Sequence, residues 1–139
     1  MISSQALHQK SPQEITALLY EALLDKLNTA KTAIADRDYI EANQSIQRSV
    51  DILQRLGAGI NYESGGIIAE QLDALYSYAV DTLIQANYDK SAEKIEAVEE
   101  VLAPVAASWR EALKEEAAPK KARQHQRVSA YEQQMMFEQ

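Results

Sequence analysis

The sequence predicts an all-α fold, an antiparallel up-down four-helix bundle, and three observations predict it. Apolar residues recur at spacings of three and four along most of the chain, while alternation of apolar and polar residues over five or more positions is missing. Helix-capping signals cut the chain into four helical segments between an N-terminal arm and a C-terminal tail. The connections between helices of roughly 18 to 26 residues are only a few residues long, which favours antiparallel neighbours.

Each element has its own punctuation. The arm covers residues 1–10. Ser11-Pro12-Gln13-Glu14 then supplies a capping hydroxyl, a proline at the first helical position and a glutamate three residues on, so a first helix is expected over 12–35. Asp38 with Glu41 repeats the device, and Gly57 and Gly59 provide a stop, giving a second helix over 39–56. A turn containing Asn61, Ser64, Gly65 and Gly66 leads into a third helix over 67–87. Asp89 or Ser91 caps a fourth over 91–116, in which Pro104 removes one hydrogen bond and is expected to kink the axis. The expected core is Ile15, Leu19, Ala22, Leu23, Ala30 and Ile34; Ala42, Ile46, Leu53 and Leu56; Ile68, Leu72, Leu75, Ala79 and Leu83; Ile95, Val98, Leu102, Val105 and Trp109.

The 139 residues suffice for one domain, assigned to 1–116. With 46% apolar and 25% charged residues, 4 Gly and 3 Pro, the chain has the composition of a protein with a packed core. Residues 117–139 differ: Lys120, Lys121, Arg123 and Arg127 against Glu132 and Glu138 leave them at +2, and they end near an apolar cluster, Met135-Met136-Phe137. They read as a flexible, mostly disordered basic tail, with folding back as a second lid the minority reading. Ten basic and nineteen acidic residues leave the bundle at −9, within a chain total of −7. That sign argues against nucleic-acid binding by phosphate neutralisation. No apolar run is long enough for membrane insertion and no secretory signal precedes the helices, so a cytoplasmic location is expected.

Catalytic and metal chemistry find little to work with. Cys is absent and there are two His, His8 and His125, both outside the expected helices. They cannot supply the Glu-x-x-His pairs of metal-binding bundles, so no metal or other cofactor is expected. Adjacent glutamates such as Glu99 and Glu100 point in different directions on a helix and read as solvated surface. Gly65-Gly66 lacks the lysine and the preceding strand of a phosphate loop and reads as a tight turn. The chain is expected not to be an enzyme.

The informative feature is apolar surface in excess of one stripe. On the first helix Tyr20, Leu24 and Leu27 form a shoulder beside the expected core face, and on the third Tyr76, Val80 and Ile84 do the same. Two readings stay open for these residues: the edge of a wide core, or a groove that takes a partner helix or extended peptide. The arm, with Ile2, Ala6 and Leu7, is either a frayed end or a segment that docks reversibly on such a groove.

The residues also carry a family resemblance over about 11–113. Ser11-Pro12 with Glu14, Leu19-Tyr20-Glu21, Gly65-Gly66-Ile67-Ile68-Ala69 after Asn61, Leu72, Leu75-Tyr76 and Tyr78, Ala86-Asn87, and Trp109 with Glu111-Ala112 together resemble the flagellar export chaperones of the FliS family. The resemblance implies a helical bundle in the bacterial cytosol that binds the disordered C-terminal segment of flagellin. Binding would prevent premature polymerisation, and the complex would then be delivered to the cytoplasmic domain of the export gate. It implies a client groove at Tyr20, Leu24, Leu27, Tyr76, Val80, Ile84, Val101 and Trp109. It also implies an arm that covers part of the groove, with Ile2 and Leu7 as its anchors. Family members usually carry an arm tyrosine associated with the export gate; none precedes Tyr20 here, and Leu7 or His8 would stand in. The tail is longer than the family leads one to expect. An uncovered groove would also favour a homodimer without client. The alternative reading is a generic helical adaptor or regulator that binds another export or regulatory protein.

Overall fold

The structure, a computed structural model, describes residues 10–117. Four helices follow in order: α1 (Pro12–Ala35), α2 (Tyr39–Ala58), α3 (Tyr62–Asp89) and α4 (Ala92–Ala117). No strand occurs among the described residues. Each helix packs mainly against the two beside it in a ring, α1 with α2 and α4, and α3 with α2 and α4. Polar contacts fix the antiparallel sense. Lys31, late in α1, pairs at 2.7 Å with Glu99, early in α4, and Asn87, late in α3, donates at 2.7 Å to Asn43, early in α2. The expected bundle is therefore the observed one. The arm, its residues Ile2, Leu7 and His8, and the tail beyond Ala117 lie outside the described residues.

The caps work as their side chains dictate. Ser11 Oγ accepts from the Glu14 amide at 3.2 Å and Asp38 Oδ1 from the Glu41 amide at 3.2 Å. Of the two candidates for α4, Ser91 is the cap, its Oγ accepting from the Lys94 amide at 3.3 Å. Five boundaries differ from expectation, four of them by only one or two residues; α3 ends at Asp89 and α4 spans Ala92–Ala117. Helix α2 runs two residues further, to Ala58, with Gly59 as its cap. Helix α3 begins early, at Tyr62, and breaks at Gly66, whose φ of 51° and ψ of −125° lie outside the helix. Residues 67–89 then form its straight part, so the expected glycine turn is present as a break between a leading turn and the main helix. Helix α4 continues through Pro104, which sits on the exposed side with Glu100, so the carbonyl deprived of its donor faces water.

The core is narrower than the apolar pattern and turned relative to it. Tyr20, Leu23, Leu27 and Ala30 of α1 meet Ile46, Leu53 and Leu56 of α2, Tyr76, Ala79, Leu83 and Ala86 of α3, and Ile95, Val98, Leu102 and Ala106 of α4. On α1 the buried stripe is centred on Tyr20, Leu23 and Leu27, while Ile15, Leu19 and Ala22, expected at its centre, are only half-buried. Tyr20 and Leu27 therefore belong to the core and not to a shoulder beside it, and so does Tyr76. Ile68 is the reverse case, a core candidate that is 67% exposed. The physical reason is the same throughout: α1 and α3 are apolar over so wide an arc that spacing alone leaves the rotation of each helix free. Burial of the largest side chains sets it. The two buried hydroxyls of α2 are satisfied locally, Ser49 Oγ donating to the Ser45 carbonyl at 2.9 Å and Ser45 Oγ to Glu41 Oε1 at 3.1 Å.

Two helix ends use a left-handed residue without a glycine. After α1 the Asp38 amide donates to the Ala33 carbonyl at 2.8 Å and the Arg37 amide to the Ile34 carbonyl at 3.1 Å, with Arg37 at φ 60°. After α3 the Ser91 amide reaches back to the Ala86 carbonyl at 3.0 Å, with Lys90 at φ 53°. Both are Schellman closures in which a side chain occupies the position that favours glycine. Lys90 gains contacts there, to Asn87 Oδ1 at 2.8 Å and over the Tyr39 ring, whereas Arg37 is exposed. Arg37→Gly is therefore expected to stabilise the bundle by about 0.5–1 kcal/mol, seen as a higher urea midpoint with an unchanged slope. A lower midpoint would show that the arginine side chain contributes more than its backbone conformation costs.

Candidate functional site

The two ends of the bundle are built differently. At the end formed by the close of α1, the start of α2, the close of α3 and the start of α4, Ala30, Ala33, Ala42, Ser45 and Ala86 are buried beside Ile46, Leu83 and Ile95. At the opposite end the buried layer contains Tyr20 of α1 and Tyr76 of α3, respectively 1% and 6% exposed. Their rings are 6.4 Å apart between centroids and tilted by 48°, and their hydroxyls hydrogen-bond to each other. The pair spans the diagonal of the bundle, between helices that are not ring neighbours. Burial pushes both phenols above their ordinary range; for Tyr20 the Tyr76 hydroxyl adds to the rise and a hydrogen bond from the Trp109 indole opposes it. Both are neutral at physiological pH.

Beyond this pair the helices enclose a cleft of about 650 Å³. Helix α1 contributes Pro12, Ile15, Thr16 and Leu19; α2 and the residues after it contribute Arg55, Leu56, Gly59 and Ile60; α3 contributes Gly65, Ile68, Ala69, Leu72 and Tyr76; and α4 contributes Trp109. The wall is mostly apolar, with Arg55, Gln13, Thr16 and Asn61 as its polar points. The break in α3 shapes one side. A β-carbon on Gly65 would lie 2.8 Å from that of Ala69, and Gly66 has the positive φ that only glycine adopts freely. These two glycines let the leading turn of α3 fold close against the main helix and place Ile68 on the rim.

The shoulder residues of the sequence are divided by this geometry. Tyr76 and Trp109 line the cleft, and Tyr20 lies behind Tyr76 as its hydrogen-bond partner. Leu24, Val80 and Val101 are half-buried against the core away from the cleft, and Leu27 is fully buried. Ile84 is 58% exposed and lies on a separate, shallower furrow between α2 and α3 with Val50 and Asp51. Conversely, Ile15, Leu19, Ile68 and Leu72, expected in the core, form much of the apolar wall, together with Leu56, which belongs to the core as expected. Pro12, Thr16, Arg55, Ile60 and Ala69 carried no signal of a site. Their only shared property in sequence is proximity to helix ends that the antiparallel topology brings together.

The comparisons with known proteins converge on one family. A family model described as "Flagellar protein FliS" matches residues 3–116. The chain is 30% identical over 107 residues to the flagellar secretion chaperone FliS of Salmonella typhimurium, covering 76% of this chain and 79% of that protein. It is 31% identical over 102 residues to the protein of the same name from Campylobacter jejuni, covering 73% and 80%. To that of Bacillus subtilis it is 26% identical over 106 residues, covering 76% and 78%.

The buried phenol pair generates a pH dependence. Because burial raises both phenols above the ordinary value of 10.0, the unfolded chain releases these protons at lower pH than the folded one. The stability linked to them is complete below about pH 10 and is lost as pH rises further. Urea unfolding between pH 8 and 11 should therefore show a fall in stability above about pH 10 that is shallower in Tyr20→Phe. At neutral pH that variant should lose about 1–2 kcal/mol, because the Tyr76 hydroxyl is left buried without its partner. An unchanged alkaline slope would show that the phenols are not the groups responsible.

Proposed function

The chain belongs to the FliS family, whose members are flagellar secretion chaperones and not enzymes, and from that premise we propose that its client is the C-terminal segment of flagellin. In this reading the chaperone acts in the bacterial cytosol, holds the segment in a form that cannot polymerise, and delivers it to the flagellar export apparatus. The observation that supports it is the apolar cleft at one end of the bundle, with Tyr76 and the chain's single tryptophan, Trp109, in its wall.

The chemistry of such a client matches the cleft. A polymerisation segment kept apart from its partners is disordered and must bury enough apolar area to offset the entropy lost on ordering. A cleft of about 650 Å³ takes a few large apolar side chains, so the client would seat anchor residues spaced as i, i+4 and i+7 and fold along the bundle outside it. Tyr and Trp suit the wall because they offer large contact area with little rotamer entropy to lose. The half-buried walls, Ile15, Leu19 and Leu72, have area still to bury, whereas Tyr20 and Leu27 have almost none. The client surface is accordingly carried by Ile15, Leu19, Ile68, Leu72 and Trp109, over the buried Tyr76.

The test is isothermal titration with a synthetic peptide of the last ~40 residues of the same organism's flagellin, with circular dichroism on the mixture. Coupled folding on the cleft gives a negative heat-capacity change and added helicity. Ile68→Glu, at an exposed rim position, should keep the helical signal and weaken binding by at least ~2 kcal/mol, about thirtyfold, because a carboxylate would face an apolar client. Ile40→Glu, at the far end and 76% exposed, should leave the affinity unchanged. Equal effects of the two variants would place the client elsewhere on the bundle. Absence of binding, with binding of another amphipathic export or regulatory segment, would replace flagellin as the client.

A further inference from the structure

Helix α3 stands apart from the other three in its surface chemistry. From Leu56 to Asp89 the chain contains no Lys or Arg, while Glu63, Glu70, Asp73, Asp81 and Asp89 all fall there. Helices α1, α2 and α4 each carry basic residues. Asp89 is engaged, its carboxyl held below the usual range by hydrogen bonds from Lys94 and Gln85. None of the ion pairs among the described residues involves Glu63, Glu70, Asp73 or Asp81. Among the described residues, the same helix holds five of the seven large apolar side chains that are exposed: Ile67, Ile68, Tyr78, Ile84 and Tyr88. At about 100° per residue, Ile67, Glu70, Ala74, Tyr78, Asp81 and Tyr88 share one outward stripe, directly opposite the buried Ala79, Leu83 and Ala86 and clear of the cleft.

A stripe that is both anionic and aromatic is complementary to a segment that is cationic and apolar. One such segment follows α4 in this chain: Lys120, Lys121, Arg123 and Arg127, then Tyr131, Met135, Met136 and Phe137. Its attachment point is favourable. Helix α4 packs antiparallel beside α3, so it ends next to the start of α3, as the shared wall of Trp109, Ile68 and Leu72 shows. The main part of α3, residues 67–89, is roughly 34 Å long, and residues 118–139 can extend over roughly 70 Å. Reach is not limiting. We propose that the outer face of α3 is a docking surface for this chain's own basic segment, with Lys120–Arg127 against Glu70 and Asp81 and the apolar residues after them against the exposed tyrosines.

Single exposed ion pairs contribute little, but a tethered segment is present at about millimolar effective concentration, so weak multipoint contact holds it in place. The contact needs no fixed conformation of the segment, and it would screen α3 from unrelated basic proteins while leaving the cleft open. It does not depend on the identity of the client.

The chain lacks cysteine, so a nitroxide on Gln124→Cys of the full-length protein is a single reporter, read by paramagnetic broadening of amide resonances. The expected result is loss of intensity along the outer face of α3, around residues 70–85. That loss should reverse in 1 M salt, where screening acts over about 3 Å, and in Glu70→Lys/Asp81→Lys, which changes exposed residues and should keep the far-ultraviolet helical signal. Three results would overturn the proposal: broadening centred on Ile15 and Leu19 at the cleft, weak uniform broadening of the whole bundle, or broadening that vanishes on dilution and so arises between copies.

Discussion

The Tyr20–Tyr76 pair is the interaction on which the shape of the molecule depends. Two phenols meet hydroxyl to hydroxyl across the diagonal, inside the buried core and at the base of the cleft. They lie between α1 and α3, with the cleft beyond them. The pair also brings polarity into the core in the least costly form, since each hydroxyl satisfies the other and neither carries charge. One interaction thus sets the rotation of α1, the rotation of α3 and the floor of the cleft. A Phe pair of the same volume would preserve the spacing but leave the register of the two helices to packing alone.

From that floor the rest follows as consequence. Because Tyr20, Leu23 and Leu27 turn inward, Ile15 and Leu19 are left half-covered, and because Tyr76 turns inward, Leu72 and Ile68 face the opening. Part of the apolar surplus of the two helices is thereby placed at one end of the bundle. Gly65 and Gly66 complete the wall by letting the start of α3 fold over on itself. A chaperone for a disordered segment needs this combination of a stable frame and a patch of unfinished core. In the proposed reading the client's apolar residues would complete what the fold leaves open, and the affinity would come from area buried there less the cost of ordering the segment.

The parts of this arrangement that rest on short-range chemistry were legible in the sequence. Ser11, Asp38 and Ser91 announce three helix starts through side chains that accept their own backbone amides, and Gly66 marks the break in α3, because these effects act over three or four residues. The family resemblance, carried by the order of Leu19-Tyr20-Glu21, Gly65-Gly66-Ile67-Ile68-Ala69 and Leu75-Tyr76, is matched by the family to which the chain belongs. Arg37 and Lys90 were not legible as helix-ending residues, since nothing local requires a left-handed arginine or lysine and the reach-back hydrogen bonds hold it. The cleft was legible only in part. Tyr76 and Trp109 were placed in it, but Tyr20 and Leu27 exchange roles with Ile15 and Leu19, because the choice between neighbouring stripes is made by a contact 56 residues away in sequence.

Trp109 offers the most direct measurement, because it is the only tryptophan in the chain and its indole lies in the cleft wall. Its emission, followed while a tryptophan-free flagellin C-terminal peptide is titrated in, reports on the cleft and on little else. The account predicts a saturable blue shift, with a midpoint equal to the affinity measured by heat. An unchanged emission spectrum under conditions where heat shows the peptide to be fully bound would contradict it.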